Sequence, residues 1–375
     1  MAGGLGARSV VSMTRAADHE DRAADVLIAG GGVAALEALM ALRALAGERA
    51  RVTLLSPEPD FVHRPQSVGE PFGLGAPQRR PLAQIAADFG AEARRAGVAA
   101  LDAAGHRVAV GSGDTLGYDV LVLAPGARTV PAFDDAVTFG GPESAATMRT
   151  LLDGLERGEL PRLAFVAPTM AGWTLPLYEL ALLTARHAAA RAIAVELVLV
   201  TPEARPLQAF GADAAAKVAG LLAAAGVEFA GGQSVDVVDG RARLSPAGRA
   251  LDARIVALPL VRGPRIDGVP TAPPFGFIPV DDHGRVRELA DVYAAGDATD
   301  HLVKQGGLAA QQADAVAAHI AARLGAPVLP EPYRPRLRGV LMTGDERHVL
   351  HDDGEPAKLA GRHLAPYLEA PQPAT

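Results

Sequence analysis

Apolar positions along this chain fall into two alternating patterns. Short, nearly continuous apolar runs stand at residues 25–30, 51–55, 120–125, 162–167, 194–201 and 292–296, each ending in glycine, proline or a small polar residue. Runs of that length between turn residues predict strands buried on both faces, as in parallel sheets. Segments of helical period lie between them. Residues 33–45 repeat Leu36, Leu39, Leu42 and Leu45, and further helices are predicted over 81–89, 143–156, 175–188, 212–225 and 307–324. Short strands with glycine turns over 98–119 predict a small antiparallel insert, and more short strands are predicted over 235–260. Residues 57–81 are rich in proline and glycine and read as a long loop, which in a compact domain is usually functional.

Strand–helix alternation of this kind predicts an α/β fold. The chain builds one such unit, builds a second, and returns at 276–281 and 292–296 to the first. That order predicts two Rossmann-like domains, the second inserted in the first. Residues 25–140 and 261–325 form the first and 141–260 the second. Residues 326–375 read as a small Pro-rich C-terminal cap, and residues 1–24 as a disordered tail.

Composition narrows the chemistry. The 375 residues include no cysteine, which excludes structural disulfides, cysteine-ligated zinc, iron–sulfur clusters and redox chemistry through a cysteine pair. A net charge of −7 without long runs of one sign gives no footprint for nucleic acid. No apolar run reaches the ~18 residues of a membrane span. Residues 1–24 lack the apolar core of a secretory signal, so a cytoplasmic location is expected.

The first strand runs into Gly30-Gly31-Gly32-Val33-Ala34-Ala35 and then a helix. Here Gly30 permits the tight turn, Gly32 the close approach of a pyrophosphate, and Ala35 close helix–strand packing. Backbone amides at the positive helix end hold the phosphates. An acidic residue about 20 positions on would take a ribose. That slot holds Ser56, whose hydroxyl can serve the ribose, with Glu58 nearby. Far along the chain, Asp291–Thr299 reads as a buried strand ending in Gly296-Asp297.

In this order the two stretches resemble the two-dinucleotide-fold flavoproteins, and three further segments extend the likeness. Phe61–Phe72, with Arg64 and Pro65, resembles the post-strand loop of sulfide:quinone reductases and type II NADH dehydrogenases. Tyr118–Arg128, with Ala124 and Gly126, resembles that family's Ala-Thr-Gly segment, with Pro125 in place of Thr. Val303–Gln312, with Lys304, Gln305 and Gly306, resembles the segment beneath the flavin. The chain thus resembles a cysteine-free branch of the FAD-dependent pyridine nucleotide-disulfide oxidoreductase superfamily. The resemblance implies FAD, with Asp297 accepting from the ribityl chain. It also implies that Lys304 and a helix end lie beside the pyrimidine end of the isoalloxazine, stabilising negative charge on the reduced flavin. Glu179 matches a glutamate near the flavin edge. It reads as a polar relay there or as a salt bridge between the domains.

In nicotinamide-using relatives the inserted domain carries its own Gly-x-Gly-x-x-Gly. The matching stretch here, Phe165–Leu180, places Pro168 and Trp173 in a longer loop. Bulky side chains would block the backbone approach a pyrophosphate needs, so weak or absent NAD(P) binding is expected. In the alternative, the loop binds nucleotide by another route and Glu203 becomes the ribose ligand.

Other constellations carry less. His348 and His351 with Asp352 and Asp353 read as an exposed turn, so no metal is expected. His63 faces the flavin or caps its loop. The C-terminal stretch Lys358–Leu368 is expected to pack Leu364, Tyr367 and Leu368 on the protein, with Pro366 shortening any helix, rather than to lie on a membrane. Truncating the cap is expected to leave flavin retention almost unchanged.

These readings predict an FAD-dependent oxidoreductase whose donor is not NAD(P)H. Sulfide oxidation by the family's cysteine route is excluded. The alternatives are an NAD(P)H:quinone reductase and a non-enzymatic FAD- or partner-binding flavoprotein. The expected partners are a small-molecule donor and acceptor, with quinone among the options. Peripheral membrane contact and a homodimer are left open.

Overall fold

The computed structural model describes residues 22–111, 113–238, 241–344, 346–351 and 361–369. Most of the tail assigned to residues 1–24 lies outside them, as do Asp352 and Asp353. In chain order the principal elements begin with β1 (Ala24–Ala29), α1 (Val33–Ala46), β2 (Ala50–Ser56), α2 (Leu82–Asp88), β3 (Glu92–Arg95) and β4 (Val120–Leu123). There follow β5 (Val137–Thr138), α3 (Ala145–Glu156), β6 (Arg162–Val166), α4 (Leu175–Ala190), β7 (Glu196–Thr201), α5 (Ala212–Ala224), β8 (Val227–Gly231) and β9 (Arg254–Ala257). The last are β10 (Val292–Ala294), α6 (Gly306–Arg323), β11 (Arg338–Met342), β12 (Arg347–His351) and α7 (Leu364–Glu369).

Two five-stranded parallel sheets result, in the orders β10-β4-β1-β2-β3 and β5-β9-β6-β7-β8. Burial explains the continuous apolar runs. In β1, Val26 and Ile28 face α1 and α6 while Leu27 and Ala29 face the opposite core. In β6, Leu163 and Phe165 face α4, and Ala164 and Val166 the other side. Side chains alternate across a strand, so a strand covered on both faces cannot show polar alternation. Alanines line the contact between α1 and α6, among them Ala35, Ala38, Ala313 and Ala317, all fully buried. The chain leaves the first sheet and re-enters it through an antiparallel pair, Arg128–Val130 against Leu260–Arg262.

Three regions differ from the sequence reading. The loop over 57–81 carries a short hairpin, Asp60–Val62 with Arg79–Pro81, and two 3-10 turns, Arg64–Val68 and Glu70–Phe72. Edge strands β3 and β8 were not anticipated. The sequence of β3 is Glu-Ala-Arg-Arg, mostly exposed, and only backbone pairing to β2 makes it a strand. Residues 276–281 return to the first unit through isolated bridges, Ile278 to Thr299 and Val280 to Val286, instead of a strand.

The cap is divided between the two units. Hairpin β11–β12 places Leu341 and Leu350 in the core of the second unit, while α7 places Leu364, Ala365 and Leu368 in the core of the first. Helix α7 starts on a buried carboxylate of α1: His363 N donates to Glu37 Oε1 at 2.7 Å and Leu364 N to Glu37 Oε2 at 2.8 Å. Glu37 is fully buried, and a buried carboxylate without such donors would be costly. Tyr367 adds a 2.7 Å hydrogen bond to Asp88 and an edge contact with Phe89. Leu364, Tyr367 and Leu368 thus pack on the protein as expected. Among the described residues no helix is long and apolar enough to cross a membrane.

Candidate dinucleotide site

Three segments converge at the carboxyl ends of β1, β4 and β10, where ligands bind in open α/β sheets. The first is the glycine turn. Gly30 adopts a φ of +147°, and a Cβ there would lie 2.0 Å from the carbonyl oxygen of Ala124. Only glycine lets the turn lie against the second segment, Ala124–Gly126. Gly32 caps α1, and a Cβ on it would meet nothing within 4 Å. The first amides of α1, from Val33 to Ala35, find no acceptor among the described residues. Free amides at the positive end of a helix, facing open space, form an anion site.

The third segment is Gly296-Asp297. A Cβ on Gly296 would lie 2.9 Å from that of Ala34, so this turn rests on the start of α1. Gln312 on α6 fixes it, accepting from Gly296 N at 2.8 Å and from the Thr299 hydroxyl at 3.1 Å. The Asp297 carboxylate has no hydrogen-bond donor among the described residues. Burial pushes its carboxyl above the usual range, opposed by the charges of Lys304 and Arg64. The residue is only partly buried, so the carboxylate is open to an incoming donor. A polyhydroxylated chain lying past α1 would supply such donors.

Lys304 is almost fully buried. Its ammonium donates to Thr299 O at 2.5 Å and lies 3.6 Å from the centre of the Phe277 ring. Burial lowers it to about 8 against the opposing pull of Asp297 and Asp300. Gln305 caps α6 by accepting from Leu308 N at 2.9 Å, and its amide donates to Arg338 O in the cap. Gly306 is the first residue of α6.

The second unit has the same layout with different contents. After β6 the chain turns tightly, Ala171 N donating to Pro168 O at 3.0 Å. The remaining glycine, Gly172, has a φ of +79° and packs against Lys304, whose amide donates to Gly172 O at 3.1 Å. A Cβ on it would meet the side chains of Lys304 and Val261, so it joins the two units. Trp173 lies edge-on to Phe210 at 5.7 Å. Beyond β7, Glu203 Oε2 accepts from the Tyr178 hydroxyl at 2.8 Å and the Thr201 hydroxyl at 3.1 Å, and Thr174 also donates to this carboxylate. The Tyr178 oxygen accepts from Leu207 N at 3.3 Å.

Comparison with known proteins agrees with this layout. The family model for pyridine nucleotide-disulphide oxidoreductases matches residues 178–315. Over that segment the chain is similar to the pyridine nucleotide-disulphide oxidoreductases. An NADH dehydrogenase-like protein of Mycobacterium tuberculosis, present in two strains, is 31% identical over 232 residues. That match covers 58% of this chain and 58% of the relative's length. Among solved structures, the sulfide:quinone oxidoreductase of Aquifex aeolicus superposes with a TM-score of 0.78 at 20% identity, covering 87% of this chain and 83% of that one. A ferredoxin reductase of Rhodopseudomonas palustris gives 0.63 at 22% identity, covering 86% and 81%. These neighbours share the fold of this chain.

Within this fold the residues singled out in the sequence do not all meet. Gly30 approaches Ala124, and Gly296 approaches Ala34 at the start of α1, which Gly32, Val33 and Ala35 share; Gly126 follows Ala124 and Asp297 follows Gly296, and Arg64 and Lys304 act electrostatically on Asp297. Pro65 lies in the exposed 3-10 turn after Arg64. Ser56 is buried at the end of β2 and accepts from Glu58 N at 3.1 Å. His63 is half-buried beside Phe61, and burial lowers its pKa. Glu179 forms no ion pair among the described residues. Its Oε1 accepts from Met342 N in the cap at 2.9 Å, and burial pushes the carboxyl to about 8. The sequence reading missed Gln312, Phe277 and Tyr178, side chains whose roles depend on tertiary contacts and carry no local signal.

Proposed function

We propose that this chain is an FAD-dependent oxidoreductase whose electron donor is not a nicotinamide dinucleotide. The observation that carries the reading is the pairing of the open, uncapped start of α1 with the unsatisfied Asp297 carboxylate resting against it. Bound FAD supplies reversible acceptance of an electron pair. The residues around it bind and orient. Amides of Val33, Ala34 and Ala35 hold the pyrophosphate, and Gly30 brings Ala124 and Gly126 close to the dinucleotide. Asp297 accepts hydrogen bonds from the ribityl chain. Ser56, Arg64, Pro65, Gln305 and Gly306 complete the contacts. The Lys304 ammonium, mostly charged at neutral pH, and the start of α6 oppose negative charge accumulating beside them. Glu179 holds a proton at neutral pH and is assigned to proton exchange.

The same proposal assigns residues 25–140 and 261–325 to the flavin domain, 141–260 to a degenerate nucleotide-like domain and 326–375 to the cap. It includes a cytoplasmic setting and a small-molecule acceptor of the quinone class, the latter supported by the name of the Aquifex neighbour. A nicotinamide donor is the second reading, supported by the name of the mycobacterial relative and by Glu203 standing at the end of β7. The test is the visible spectrum of the purified protein, with cofactor release and identification. The proposal expects FAD in the wild type and a large loss of it in Asp297→Ala. Full retention in that variant would overturn the site.

A further inference from the structure

A second dinucleotide unit that keeps its strands and helix but has lost its glycine turn could still bind a nucleotide through its ribose carboxylate. In such units an acidic residue at the end of the second strand takes the ribose hydroxyls. Glu203, two residues beyond β7, holds that position. A carboxylate has about four acceptor sites. A ribose diol would bring two O–H donors to it. In this protein three donors of the same chemistry already arrive from within: the hydroxyls of Tyr178, Thr201 and Thr174. Thr174 and Tyr178 are four residues apart at the start of α4, so they lie on one face of the helix. Tyr178 is fully buried and ties down the chain beyond β7 through Leu207 N. That chain is further closed by Gln208, whose side-chain oxygen accepts from Ala204 N at 3.1 Å.

We propose that Tyr178 and Thr174 set the donor specificity of this protein by presenting Glu203 with internal hydroxyls in place of a nucleotide ribose. The inference rests on the reading that the flavin takes its electrons from a non-nicotinamide donor. With about one of its four sites left, Glu203 could take both hydroxyls of a ribose only by releasing at least one internal donor, and a buried hydroxyl left without its partner is unfavourable. Removing the hydroxyls while keeping the carboxylate returns Glu203 to an incoming ribose.

The test uses the full, flavin-loaded chain and NADH as the probe, under anaerobic conditions. NADH binding is followed by its own fluorescence, and flavin reduction by loss of the visible bands. The proposal expects no saturable binding to the wild type. It expects at least about a tenfold gain in affinity, equivalent to ~1.4 kcal/mol, in the Thr174→Val/Tyr178→Phe double variant, which keeps the packed shapes. Tyr178→Ala, which also vacates the ring volume, is expected to gain at least as much where it folds. Adding Glu203→Gln to the double variant is expected to abolish the gain, a result that general loosening of the fold would not produce. A folded double variant that binds NADH no better than an unreactive wild type overturns the specificity proposal and leaves the flavin reading standing. A wild type whose flavin is bleached by NADH overturns both.

Discussion

The molecule contains two versions of one design. Each version is a five-stranded parallel sheet with a helix leaving the end of a central strand, α1 after β1 and α4 after β6. In the first, the helix start is bare: glycines lead into it, its amides are free, and the nearby carboxylate Asp297 lacks donors. In the second, Pro168 and Trp173 stand where glycines would, Gly172 packs against Lys304, and the nearby carboxylate Glu203 already accepts from three protein hydroxyls. The fold is the same and the capacity differs. What makes a helix start into a binding site here is the absence of side chains and of internal partners, more than the presence of particular functional groups.

The strongest way to break the contrast is to close the open turn. Gly30→Val would drive a side chain into Ala124 O and is expected to cost more than about 3 kcal/mol, read as a lower urea midpoint with flavin lost. Next is the carboxylate. Asp297→Ala is expected to lower FAD affinity at least about tenfold, measured by cofactor content after dialysis, with the fold retained by circular dichroism.

A smaller effect concerns the cap. Because α7 begins on Glu37, a residue of the same helix whose start is proposed to hold the pyrophosphate, Glu37→Ala should cost on the order of 1–3 kcal/mol and increase FAD release. Removing residues 361–375 should do the same. This differs from the expectation that the cap is dispensable. That expectation treated the cap as a single lobe away from the site, whereas its last helix is part of the core of the first unit.

The smallest effect is one of pH. Glu179 is protonated up to about 8 when folded and near the ordinary carboxylate range when unfolded. The folded state therefore holds the extra proton between those values. This contribution to stability is complete at acid pH and is lost as pH rises through about 8. Glu179→Gln should flatten the fall of the urea midpoint between about pH 5 and 8. An unchanged slope would remove Glu179 from the account.

The contrast between the units was largely legible in the sequence, because it is written in glycines and their replacements. Gly30, Gly32 and Gly296 are demanded by backbone approach, which local sequence specifies. The continuous apolar runs of β1, β4, β6 and β7 carried the sheets for the same reason: burial on both faces leaves a strong signal. Strand β3 left none, since its charged side chains are exposed and its pairing is through the backbone. The cap's attachment was equally silent. Glu37 lies within an apolar helix pattern, and its partners are backbone amides more than three hundred residues away. Glu203 was visible as a candidate, but its capture by Tyr178 follows from the packing of α4 against β7.

The measurement that tests the central claim most directly is native mass spectrometry of the purified chain, alone and with excess NADH. The account predicts a mass increment of a single FAD per chain and no second increment when NADH is added. A chain carrying NADH together with FAD would contradict the closed second unit, and a chain that never carries FAD would contradict the open first one.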